Sequence, residues 1–211
     1  MTMFETKNKI SNTVYNLVIG AVLLYGFIVN YFMVMTMGNI VTSINPIVFI
    51  IIYFICAFAG AYIIHSFDSP GASFFGYNLI VVPIGAVLAL CLPAYSTSNI
   101  MLAIGLVAGI ASVMMIMAMT FPKFFDSLGL TLFMSLTIAI IAEIIALICG
   151  YAGNIFNWLF VIIFALYIGY DWHKAQSEAK TFDNAIDAAA NLYLDLINLF
   201  IRLLGIISKD D

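Results

Sequence analysis

The chain has 211 residues, of which 64% are hydrophobic and only 9% are charged, with a formal net charge of −4. A water-soluble domain carries about a quarter of charged residues, so these few charges exclude a soluble globular protein and predict an integral membrane protein with lipid as its solvent. The acidic balance and the lack of any basic patch also exclude a nucleic-acid-binding protein.

The N-terminal segment MTMFETKNKISNTV is polar, lacks a small-residue cleavage site and is followed by about twenty apolar residues. We therefore expect a first membrane span and not a cleaved signal peptide. Seven runs reach the length of about twenty residues that a spanning helix needs, and short stretches rich in Gly, Pro, Ser, Asn or charge separate them. The predicted spans are 14–36, 44–64, 75–95, 100–121, 129–150, 155–172 and 184–207. The predicted fold is an all-α integral membrane protein, a seven-transmembrane-helix bundle forming a single transmembrane domain of residues 1–211.

The basic residues of the short loops predict the orientation, because lysine and arginine favour the cytoplasmic side of a membrane. With seven spans, one side receives Lys7, Lys9, Lys123, Lys174 and Lys180, and the other receives Lys209 alone. We therefore expect the N-terminus in the cytoplasm and the C-terminus on the opposite face.

The last span carries a polar seam that runs along most of its length. An α-helix turns about 100° per residue, which places the members of the seam on one face over about 22 Å. The seam consists of Asp187, Asn191, Asp195, Asn198 and Arg202. Charges are costly in contact with lipid, so we expect this helix to be enclosed by the others and central in the bundle. The two asparagines could serve as interhelical hydrogen-bond partners, whereas the position of Asp195 halfway along the span favours a functional role.

The sixth span ends in FALYIGYDWHKAQ, which puts Asp171 at its predicted cytoplasmic end. The following loop is short, so the last two spans are predicted to be antiparallel neighbours, and Asp171 would meet Asp195 if the sixth helix ends deep. Two adjacent carboxyl groups share a proton because both cannot readily ionise side by side. Such a pair would close on its own hydrogen bond when protonated and offer hard oxygen ligands to Ca²⁺ when deprotonated. The alternative is that Asp171 is a solvated helix-end acid beside Lys174.

The segments YIGYDWHKA and DNAIDAAANLYLDLINLFIRLLGI together resemble the C-terminal signature of the Bax-inhibitor family, also called the transmembrane Bax inhibitor motif family. The resemblance is specific over about the last fifty residues. It implies a seven-helix bundle with the last helix central and a pH-sensitive calcium leak governed by two aspartates, which carry over to Asp171 and Asp195. In eukaryotic members the implied setting is calcium-store control and suppression of cell death, and bacterial members look like plasma-membrane proteins.

The second span, INPIVFIIIYFICAFAGAYII, departs from the family pattern, which leads us to expect an acidic residue there and a basic latch at its cytoplasmic end. His65 follows this span, and His65 and Arg202 are the candidate latch residues. Glu143 is an isolated acid within the fifth span, where we expect it to be protonated or bound to a partner, and it is a candidate second cation ligand. The candidate cation path consists of Asp187, Asn191, Asn198 and Glu143.

Three other functions fit parts of the pattern. An intramembrane aspartyl protease would also place aspartates on its last spans, but this chain has LYLD in place of Gly-x-Gly-Asp and no later proline. A non-conducting regulator of a membrane protease or another membrane complex stays open. A proton-coupled carrier is disfavoured because the chain has no visible repeat.

The prediction is therefore a calcium leak channel of a bacterial plasma membrane, gated by protonation of Asp171 and Asp195, and not an enzyme. Ca²⁺ is expected as the transported ion, with these two aspartates as its ligands, and no other cofactor is expected. The expected partners are the lipid bilayer, Ca²⁺ and protons, or an unidentified membrane protein if the chain does not conduct.

Overall fold

The structure is a computed structural model that describes residues 9–151 and 153–208. Within these residues the chain forms nine α-helices and one short 3₁₀ helix, Leu92–Ala94, and no β-strand. The α-helices are α1 Asn12–Thr36, α2 Gly38–Thr42, α3 Pro46–Ser66, α4 Pro70–Cys91, α5 Thr97–Thr120, α6 Pro122–Asp126, α7 Gly129–Ile148, α8 Ile155–Ser177 and α9 Phe182–Ile207. Seven helices in this part of the chain are long and apolar enough to cross a membrane. Each of them overlaps one of the seven predicted spans. Of the lysines used to predict the orientation, Lys7 and Lys209 lie outside the described residues.

Polar residues before three of the spans cap the helices that follow them. The side chains of Ser11, Asn45 and Ser96 accept hydrogen bonds from backbone N–H groups in the first turns of α1, α3 and α5. Such caps satisfy donors that a helix start leaves without an intrahelical partner. These residues therefore fix where α1, α3 and α5 begin.

The chain divides into two compact units, and α9 contributes to both. The first unit consists of residues 1–94 and 178–193, and so contains α1 to α4 and the first half of α9. In it α4 packs against α1 and α3. The α3–α4 contact is close enough that a Cβ atom added to Gly60 would lie 2.6 Å from the carbonyl oxygen of Gly76.

The second unit consists of residues 95–177 and 194–211 and contains α5 to α8 with the second half of α9. In it α8 packs against α5, α6 and α7. Helix α8 continues to Ser177, five residues beyond the predicted end of the sixth span. Asp171 therefore lies six residues before the end of the helix, because the polar sequence DWHKAQS continues the helix beyond the apolar run.

Helix α9 is the most buried of the seven spans, with 56% of the residues in its apolar stretch buried. Among the seam residues, Asp195 is buried and the other four are half-buried. This burial agrees with the predicted fold class, a helical membrane bundle with an enclosed C-terminal helix.

Candidate functional site: a carboxyl pair and an ion pair on α9

The carboxyl groups of Asp195 on α9 and Asp171 on α8 lie within reach of a side-chain hydrogen bond in the second unit. Asp195 is only 6% exposed. Its second oxygen, Oδ2, is buried and has no hydrogen-bond partner among the described residues. Two carboxyl groups can share a hydrogen bond only when one of them carries a proton. A hydrogen bond within this pair therefore requires a proton on one of the two carboxyl groups.

Contacts on both sides of Asp171 fix the rotation of α8. Gly169 lies against the ring of Phe125, where a Cβ atom would collide with the ring carbons. Two residues beyond Asp171, the imidazole Nε2 of His173 lies 2.7 Å from Oδ1 of Asp126. Tyr167 precedes Asp171 by one helical turn and lies near both carboxyl groups of the pair. These neighbours hold the face of α8 that carries Asp171 toward Asp195.

Arg202 is bound by Glu143 of α7 and does not stand alone on the seam. Its Nη2 donates to Oε2 of Glu143 at 2.9 Å, and its Nη1 donates to Oε1. Nη1 also donates to Oδ1 of Asn157 on α8 at 3.2 Å, and the guanidinium lies 3.9 Å above the centroid of the Phe160 ring. Both of its oxygens accept from the guanidinium, so Glu143 has the partner that was expected for a carboxyl group deep in a span. Its role as a cation ligand stays a prediction.

The remaining seam residues have separate surroundings. Nδ2 of Asn198 donates to the carbonyl of Leu194 in its own helix at 2.8 Å, so this bond joins no second helix. Asn191 is half-buried. Asp187 lies in the first unit, and its Oδ1 is buried and has no hydrogen-bond partner among the described residues.

The predicted latch residue His65 lies at the end of α3, is exposed, and has its Nδ1 3.0 Å from the carbonyl oxygen of Ala61 in the same helix. Close to Asp187 lies a contact that the sequence analysis missed, in which the Ser73 hydroxyl donates to Oδ1 of Asp183 at 2.9 Å. Ser73 belongs to SPGAS, a stretch interpreted as a loop, and nothing in its composition indicates a buried hydroxyl. Asn157 was missed as well, although an amide inside an apolar run is a signal that could have identified it.

No group of three or more His, Cys, Asp or Glu side chains that could hold a metal ion occurs within residues 9–151 and 153–208. The carboxyl pair contributes two acids. The role of Asp171 and Asp195 as calcium ligands therefore stays a prediction.

Seven long apolar helices among the described residues, with a carboxyl pair on the last two of them, define an integral membrane protein with ionisable groups inside its helix bundle. The chain belongs to the Bax inhibitor family, because the family described as "Inhibitor of apoptosis-promoting Bax1" matches residues 7–211. This result confirms the resemblance inferred from the C-terminal segments and extends it over nearly the whole chain.

Two similar proteins come from Helicobacter pylori, and both are described as uncharacterized. The relative from strain ATCC 700392 / 26695 is 30% identical over 162 residues, which is 72% of this chain and 67% of that protein. The relative from strain J99 / ATCC 700824 is 33% identical over 110 residues, or 50% of this chain and 46% of that protein. The chain therefore matches about half the length of the second relative.

Proposed function

We propose that the protein is a pH-sensitive calcium leak channel gated by the Asp171–Asp195 pair. The observation that supports this most is the hydrogen bond between these two carboxyl groups, one of them buried within a membrane-spanning helix. Ionisable groups inside a spanning segment are costly to keep and usually serve a function. Membership of the Bax inhibitor family supports the same proposal.

The gating step follows from the charge on the pair. With a proton between them, the two carboxyl groups attract each other and hold α8 and α9 together in the closed state. When the proton leaves, two negative charges face each other at hydrogen-bond distance, and their repulsion separates the carboxylates. The separated oxygens are hard ligands of the kind that Ca²⁺ prefers. Flux should therefore rise as the pH rises.

The proposed location is a bacterial plasma membrane, with the N-terminus in the cytoplasm. The similarity to two bacterial proteins supports the bacterial location. The distribution of lysines over the loops supports the cytoplasmic N-terminus.

The test is Ca²⁺ entry into dye-loaded liposomes that contain the purified protein, between about pH 6 and pH 8, a range that brackets the titration of a shared-proton pair. Wild type is compared with Asp171→Asn and Asp195→Asn. Asp68→Asn is the matched control, because Asp68 is an exposed acid in the loop between α3 and α4. Monodisperse elution from detergent establishes that each variant is folded.

We expect wild-type and Asp68→Asn flux to rise with pH, and both other variants to lose this dependence. Flux that does not exceed that of empty liposomes at any pH would contradict the channel. That result would favour a non-conducting protein that binds another membrane protein, to be sought by pull-down from detergent.

A further inference from the structure

The Glu143–Arg202 ion pair joins three helices of the second unit near one end. Glu143 and Arg202 each lie five residues before the last residue of their helices, α7 and α9, and Asn157 lies two residues after the first residue of α8. The chain turns from α7 into α8 at this end. The guanidinium of Arg202 therefore connects the second half of α9 to α7 through Glu143 and to α8 through Asn157.

Several features make this connection firm. A guanidinium that donates two hydrogen bonds to one carboxylate is held in direction as well as in distance. Both side chains are only 24% exposed, so water screens their attraction less than it would at an open surface. The ring of Phe160 covers the guanidinium, which adds a cation–π attraction.

Gly205 permits the close approach of Asn157. A Cβ atom at Gly205 would lie 3.2 Å from Nδ2 of Asn157, which is tighter than an ordinary contact. The absence of a side chain at this position lets α9 approach the amide that binds Arg202. The close packing of α8 and α9 and the ion pair therefore occur at the same place.

The ion pair and the carboxyl pair lie on the same face of α9. Asp195 and Arg202 are seven residues apart, which is close to two full turns and about 10.5 Å along the helix. A guanidinium keeps its charge at every physiological pH, so the ion pair does not lose its cation when the carboxyl pair loses its proton. The ion pair therefore holds this face of α9 at every physiological pH, whereas the contact of the carboxyl pair depends on pH.

We propose that the Glu143–Arg202 pair is the fixed pivot of the gate, holding the second half of α9 against α7 and α8 while the Asp171–Asp195 contact opens and closes. Glu143 and Arg202 act as positioning residues, because they act on the carboxyl pair through the position of α9 against α8. This inference rests on the proposed function and adds to it the element that sets the pH of opening. Weakening the pivot should loosen the closed state, so that the gate opens at lower pH.

The first arm of the test compares the midpoint of the flux–pH profile in wild type, Glu143→Gln and Arg202→Lys, with Asp68→Asn as control. Glu143→Gln removes the charge that binds the guanidinium. Arg202→Lys keeps a cation but loses the planar fork that binds both carboxylate oxygens. We expect Glu143→Gln to lower the midpoint by about half a pH unit or more, equivalent to about a threefold change in the opening equilibrium. We expect Arg202→Lys to shift the midpoint less, and the exchanged pair Glu143→Arg with Arg202→Glu to recover part of the wild-type value.

The second arm does not depend on calcium. Spin labels are attached to the thiols introduced by Lys174→Cys, exposed on α8, and Leu196→Cys, half-buried on α9, after the free cysteines Cys56, Cys91 and Cys149 have been replaced by serine. Pulsed electron paramagnetic resonance then follows the distance between α8 and α9 as the pH changes. We expect this distance to increase with pH in wild type, and Glu143→Gln to shift the midpoint in the same direction as in the flux assay.

The two arms separate failure of the pivot from failure of the channel. A pH-dependent distance that Glu143→Gln shifts, without any calcium flux, would support the pivot and contradict the channel. Wild-type flux with an unchanged midpoint in folded Glu143→Gln would overturn the pivot. The loss of a merely structural ion pair would lower stability and leave the midpoint of the flux–pH profile unchanged. A wild-type distance that does not change with pH would also overturn it.

Discussion

The side-chain amide of Asn30 on α1 donates a hydrogen bond to the hydroxyl of Tyr193 on α9, and both residues are buried. Beside them the Tyr77 hydroxyl of α4 donates to the carbonyl of Val22 at 3.0 Å. The rings of Tyr77 and Tyr193 meet edge to face, with centroids 5.5 Å apart. These phenol groups place large apolar rings in the core and satisfy their hydroxyls inside it, so they join α1, α4 and the first half of α9 in the first unit.

Gly26 leaves the space that these tyrosines occupy. A Cβ atom there would collide with the Tyr77 hydroxyl and would lie 3.2 Å from a ring carbon of Tyr193. Gly26→Ala should therefore lower the free energy of unfolding by about 1–3 kcal/mol, as overpacked cores do, and lower the midpoint of thermal unfolding in detergent.

Gly20 of the same helix provides the matched control, because a Cβ atom there meets nothing within 4 Å. Gly20→Ala should leave the unfolding midpoint unchanged or raise it, since alanine is the better helix former. Equal effects of the two substitutions would contradict the described packing around Gly26.

The Ser73–Asp183 contact in the first unit predicts a second difference in stability. Both side chains are buried, so Ser73→Ala removes a donor from a carboxyl group that water reaches poorly. Losing a buried hydrogen bond to a carboxyl group costs about 1–3 kcal/mol, to be measured as a lower midpoint of thermal unfolding. Ser66→Ala, at the exposed end of α3, should have little effect. A Ser73→Ala protein as stable as wild type would show that the hydrogen bond contributes nothing to the fold.

Lys180 lies in the loop between α8 and α9, with its ammonium 4.5 Å from the centroid of the Tyr15 ring. Burial lowers the pKa of Lys180 below the lysine value, and this effect exceeds the opposing influence of the Glu178 carboxylate. Lys180 should therefore lose its proton below the value of about 10.4 for a free lysine. NMR titration of reductively methylated protein measures this, with Lys180→Arg assigning the signal of Lys180. Glu178→Gln removes the charge that raises the pKa and should lower the midpoint further. A shift in the opposite direction would contradict the described surroundings.

The sequence predicts the spans well because their cause is local. Lipid requires about twenty consecutive apolar residues for each crossing, and the polar breaks contain the residues that cap the next helix. The predicted sixth span ends five residues before α8 does, because apolarity ends near Trp172 while the helix continues to Ser177. The span prediction followed hydropathy, and a helix that leaves the apolar layer can continue without it.

The partners of the polar residues were harder to predict because they depend on packing between distant parts of the chain. Asp171 and Asp195 were singled out by a local motif and by helical spacing. Nothing local connects Glu143 with Arg202, which are 59 residues apart. A single sequence shows that each charge in a span needs a partner, and only the fold shows which partner it has.

The central claim is that the Asp171–Asp195 pair holds a proton whose loss opens the channel, and infrared difference spectroscopy of the protein in liposomes tests it most directly. The account predicts that wild type loses a protonated-carboxyl signal between about pH 6 and pH 8, over the same range in which calcium flux rises. It predicts that Asp171→Asn and Asp195→Asn both lack this signal. An unchanged signal in either variant, or none in wild type while the flux still depends on pH, would contradict the account.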